Sequence, residues 1–89
     1  MSYSYPIDPS WSTTDVIDVV NFISIVEKAH EDGVKREDIM LAYTKFKQIV
    51  PSMSEEKQID KKFEKDTGYS IYRAIKQAKS AKKGERVKM

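Results

Sequence analysis

The chain has 89 residues, with 16 Lys and Arg against 14 Asp and Glu for a formal net charge of +2. That length allows one domain with one modest core, burying roughly 60–65% of the unfolded surface and leaving no interior room for a large cofactor, so none is expected. The absence of cysteine excludes disulfides, zinc thiolate sites and thiol catalysis, and no apolar run approaches the ~20 residues of a membrane span.

The net charge hides a division. From Ile71 onward there are seven basic residues against the single acid Glu85, a balance of +6, whereas residues 1–70 carry nine basic and thirteen acidic side chains, a balance of −4. An acidic body with a basic tail is the largest global asymmetry. The N-terminus has no positively charged segment followed by an apolar one, so no secretory signal is expected and a cytoplasmic location is the default.

Residues 1–11 form an aromatic, proline-rich arm (Tyr3, Tyr5, Pro6, Pro9, Trp11). Two prolines in four residues forbid a helix there. Ser12 with Asp15 reads as a capping box, and Trp11 with Val16 has the spacing of a hydrophobic staple. A first helix is predicted over 13–32, with Gly33 supplying the left-handed terminator. Its β-branched content makes a strand the rival, but length and caps favour helix. Its apolar positions cover most of the girth, the mark of a central helix.

A second helix is predicted over 36–50. Ile39, Ala42, Tyr43, Phe46, Ile49 and Val50 share one face, Leu41 points the opposite way, and Met40 sits between. Pro51 ends it, and Ser52 with Glu55 offers another capping box. The third helix, 53–66, is mostly charged, with a thin stripe of Met53, Ile59 and Phe63, and Gly68 stops it. The fourth, 70–83, turns Ile71, Ile75 and Ala78 inward with Tyr72 and Ala74 flanking. Gly84 ends it, residues 84–89 are expected to fray as a basic tail, and no strand is foreseen. The fold class is therefore all-α: a small bundle of three to four helices with an extended N-terminal arm, one domain over 1–89.

Tyr5-Pro6-Ile7-Asp8, Trp11-Ser12-Thr13, Tyr43 with Phe46-Lys47, and Ile49-Val50-Pro51-Ser52 occur in this order along the chain. Glu55-Glu56-Lys57, Phe63-Glu64, Gly68-Tyr69-Ser70 and Tyr72-Arg73 follow. Over nearly its whole length the sequence resembles the uncharacterised protein family 0223 (UPF type) of Bacillus-like Firmicutes. The resemblance implies a short cytoplasmic helical bundle and carries over no catalytic or binding residue.

Chemistry-bearing patterns are sparse. Glu27-x-x-His30 with Glu31 is half of a di-metal bundle site, but His30 is the sole histidine, so local pairing near a helix end is the plainer account and no metal is expected. Gly33, Gly68 and Gly84 stand alone, so there is no phosphate loop or nucleophile elbow. Glu55, Glu56, Asp60 and Glu64 lie along one charged helix and not in a cleft that would separate their pKa values. No enzyme is expected.

Two binding surfaces remain. Arg73, Lys76, Lys79 and Lys83 fall within roughly 120° of arc at helical spacing, with Tyr69 and Tyr72 at the start, the ingredients of weak nucleic-acid binding. The favoured class is protein interaction. The girth of the first helix, together with Tyr5, Trp11, Met40 and Leu41, exceeds what such a bundle readily covers, which points to a protein partner or a homodimer.

Overall fold

The computed structural model describes residues 9–89. Ser12 opens the first helix through a full capping box: its Oγ accepts the Asp15 N–H at 3.1 Å, and the Asp15 carboxylate accepts the Ser12 N–H at 3.3 Å. The resulting helix α1 spans Thr13–Glu31 and buries Val19, Phe22, Ile23, Val26 and Ala29. Trp11, just ahead of it, is half-buried against the core. Tyr5 lies outside the described residues. Gly33 turns the chain with φ +95°, and a Cβ there would sit 3.3 Å from the Lys88 Cβ, so backbone sign and space both favour glycine.

Helix α2, Arg36–Ile49, buries Ile39, Ala42 and Phe46, the face expected from its 3.6-residue period. Phe22 stacks on Phe46 with ring centroids 4.7 Å apart. Helix α3, Met53–Thr67, starts at Ser52, whose Oγ accepts the Glu55 N–H at 3.4 Å, and ends at Gly68 with φ +81°. It buries only Phe63; Met53, foreseen on its inward stripe, is 59% exposed. Helix α4, Ile71–Ser80, buries Ile71, Ala74, Ile75 and Ala78, so Ala74 is core and not flank. α1 packs chiefly on α2, α4 lies against both, and α3 leans on α4. The fold is mostly all-α, and no helix among the described residues is long and apolar enough to cross a membrane.

The C-terminal segment departs from expectation. α4 stops at Ser80, three residues before the predicted end at Lys83, because Ala81 adopts extended backbone (ψ 152°). Lys82 to Glu85 then form a turn in which the Glu85 N–H donates to the Lys82 carbonyl at 3.0 Å. Instead of fraying, the chain forms β2 (Arg86–Val87), which pairs antiparallel with β1 (Val34–Lys35), Val34 opposite Val87 and Lys35 opposite Arg86. Val87 is 0% exposed. Further bonds fasten the segment. Arg36 N–H donates to Glu85 O at 2.9 Å, Met89 N–H to Ala29 O at 3.0 Å, and the Arg86 guanidinium to Gly33 O at 2.9 Å. Part of the basic tail is thus a strap over the α1–α2 junction, with the Met89 N–H satisfying a carbonyl that the end of α1 leaves free and Arg86 bonding the turn that follows.

Candidate functional site

The residues that suggested nucleic acid are only partly assembled. Arg73, Lys76 and Lys79 share a face of α4 at i, i+3 and i+6, and Tyr72 is 65% exposed. Lys83 lies past the helix end in the turn, off the stripe. The Tyr69 ring stacks on His30 at 4.7 Å with 10° between planes, and its hydroxyl donates to Glu31 at 3.0 Å. One face of that ring is therefore already covered by the imidazole.

The N-terminus of α4 is also fully used, although helix starts are ready anion sites when their N–H groups are free. Ser70 N–H donates to His30 Nε2 at 3.2 Å, Ile71 and Tyr72 N–H to the two Asp60 oxygens at 2.8 and 3.1 Å, and Arg73 N–H to Ser70 Oγ at 3.2 Å. All four orphan donors have protein acceptors, so no phosphate is needed there. Asp60 is a cap supplied from α3, both of its oxygens accepting α4 N–H groups.

His30 is likewise committed to the fold: with the ring proton on Nδ1, Nε2 accepts the Ser70 N–H, and Tyr69 covers the ring. Glu27, one turn earlier, is buried. Among the described residues no three His, Asp or Glu side chains gather as a metal site would require.

On the other side of Tyr72 lies a cleft of about 200 Å³ between α2, α3 and α4. Ile75 and Tyr43 line it, Met53 and Tyr72 flank it, and Lys76 and Lys79 border it. Glu56 also lines the cleft, but its carboxylate is engaged by the Lys47 ammonium and by the Tyr43 hydroxyl, which donates at 3.1 Å. Burial, and after it the neighbouring Glu56 charge and this bond, push the Tyr43 hydroxyl up to about 12, so it stays a neutral donor. Lys79 Nζ sits 5.8 Å from the Tyr43 ring centroid, and Lys47 Nζ is 3.7 Å from the Met53 sulfur. With Glu56 neutralised by Lys47, the border charge of Lys76 and Lys79 is unbalanced locally.

Sequence reasoning named Tyr72, Lys76 and Lys79 but missed Tyr43, Met53 and Glu56. A signal was present: Tyr43 and Lys47 at i, i+4, and Met53 and Glu56 at i, i+3, bracket the Pro51 turn that folds them together. Of the proposed partner surface, Trp11 and Met40 are half-buried against the core. Leu41 stands 61% exposed on the far side of α2, beside a groove of about 300 Å³ between α1 and α2.

The profile of the family described as "Uncharacterised protein family (UPF0223)" matches residues 2–87. The chain belongs to this family. UPF0223 proteins similar to it occur in Bacillus-like Firmicutes and in streptococci. One from Oceanobacillus iheyensis is 54% identical over 79 residues, covering 89% of this chain and 90% of its own length. One from Bacillus cytotoxicus is 49% identical over 89 residues, covering both chains fully. One from Streptococcus thermophilus is 48% identical over 83 residues, covering 93% of this chain and 89% of its own. The UPF0223 resemblance read from the ordered segments Tyr5 to Arg73 is thereby confirmed.

Proposed function

We propose that the protein is a non-enzymatic cytoplasmic module that works by binding another protein, and that the cleft between α2, α3 and α4 is its binding face. The observation that carries this is the pair Met53 and Tyr72, both more than half exposed, flanking an apolar cleft bordered by Lys76 and Lys79. An exposed methionine beside a tyrosine adapts to a partner's apolar side chain. The two lysines select a partner segment carrying carboxylates and steer its approach.

Capture from a Bacillus lysate, comparing the wild-type chain with Met53→Asp/Tyr72→Ala, tests this. Both positions are exposed, so the variant folds. A protein retained by the wild type and lost from the variant supports the cleft, and identical captured sets refute it.

Nucleic acid is the second candidate ligand, favoured by one observation, the row of Arg73, Lys76 and Lys79 beside Tyr72. Three cations neutralise up to about three phosphates, a log-log salt slope of roughly −2 for single strands. The filled donors at the α4 N-terminus and the engaged ring of Tyr69 weigh against it. Fluorescence anisotropy with labelled single-stranded RNA is expected to show no saturable binding at physiological salt. A saturable signal with that slope reverses the order of the two.

A further inference from the structure

Helix α2 carries a second stripe, turned away from the core, in which Asp38, Leu41 and Lys45 fall within roughly 60° of arc. All three are exposed and line the groove between α1 and α2, with Ile25 of α1 facing them. Neither Asp38 nor Lys45 forms an ion pair with a described residue. Ile17, 61% exposed, continues the same face of α1 two turns before Ile25.

The order acid, leucine, base along this stripe is self-complementary. When two α2 helices lie antiparallel about a two-fold axis between Leu41 and Ala42, position 38 of one helix falls opposite position 45 of the other. The same operation generates the second pair, so both ion pairs form at once, about 10 Å apart along the axis, with the two leucines meeting between them. A parallel pairing would set Asp38 against Asp38 and Lys45 against Lys45. Charge therefore selects the antiparallel arrangement.

We infer that two copies of this chain associate through α2, Asp38 of each facing Lys45 of the other across a Leu41–Leu41 contact. The inference uses a different face from the α2–α3–α4 cleft and stands or falls apart from it. Such a contact, built around one leucine and the edge of α1, belongs with the small, weak and transient class of interfaces.

Sedimentation equilibrium on the full chain reads this directly. The wild type is expected to rise from one-chain to two-chain mass with concentration, and Leu41→Glu to stay at one-chain mass with unchanged circular dichroism. Asp38→Lys and Lys45→Asp each replace both attractive pairs with repulsive ones, and each weakens association at least about tenfold. The double variant Asp38→Lys/Lys45→Asp restores both pairs in reversed polarity and returns association to within a few-fold of wild type. Tyr72→Ala, on the cleft, leaves self-association unchanged. A wild type that stays monomeric into the hundreds of micromolar, a double variant no better than the singles, or loss of the dimer in Tyr72→Ala each overturns the inference.

Discussion

Val87→Ala tests whether the last residues belong to the core. Val87 is 0% exposed and pairs with Val34 between β1 and β2. Truncation removes two buried carbons at ~0.8 kcal/mol each, ~1.6 kcal/mol of transfer free energy. Incomplete collapse of the site adds ~24 cal/mol per Å³, so a residual void of about 30 Å³ contributes a further ~0.7 kcal/mol. The sum, ~2.3 kcal/mol, lowers the melting temperature of a domain this size by roughly 9–18 °C. Thermal unfolding followed by circular dichroism measures it, with Lys88→Ala, one residue on and exposed, as the control for merely altering the tail. A Val87→Ala melting temperature within about 2 °C of wild type would mean that the tail frays and that β2 contributes nothing.

Two further substitutions probe the contacts that hold α4 and the strap. Asp60→Ala strips both acceptors from the Ile71 and Tyr72 N–H groups and should cost roughly 1–2 kcal/mol, the range for a lost helix cap. An unchanged urea midpoint would show that water replaces Asp60 without loss. Glu37 accepts the Gly84 N–H at 2.9 Å, and that bond, ahead of the nearby Arg36 and Lys83 charges, holds its carboxyl below the usual 4.5. Because the folded value is the lower one, the contribution of this bond is complete above pH 4.5 and is lost as pH falls through the folded value. The Gly84 amide proton shift should therefore titrate with a midpoint under 4.5 and stop titrating in Glu37→Gln; a midpoint at or above 4.5 contradicts the assignment.

Most helix boundaries were legible because each is set by residues within four positions of it. Ser12 with Asp15, Ser52 ahead of Glu55, the Pro51 break, and the left-handed turns at Gly33 and Gly68 all act through local backbone geometry. Core faces were legible for the same reason: the 3.6-residue period of Ile39, Ala42, Phe46 or of Ile71, Ile75, Ala78 is a property of one segment. The cleft was half visible, since Tyr72, Lys76 and Lys79 share a helix face, whereas Tyr43, Met53 and Glu56 come together only when the turn at Pro51 sets the start of α3 beside α2.

What only the tertiary structure decided lies where partners are distant in the chain. Tyr69 belongs to His30 and Glu31, 38 and more residues away, and so is only partly available to a base. Met53, on an apolar stripe by its spacing, is exposed because α3 leans on α4, buries only Phe63 and leaves its own start uncovered. The C-terminal segment contains Gly84, lysines and no long apolar run, so by local propensity it ends a helix and frays. It is ordered because Glu37, Arg36, Val34 and Ala29 offer it a carboxylate, an N–H, a strand edge and a carbonyl at once. A two-residue strand has too little propensity of its own to be seen in a sequence; its free energy comes from burying Val87 and satisfying backbone groups that the α1–α2 junction would otherwise leave to water.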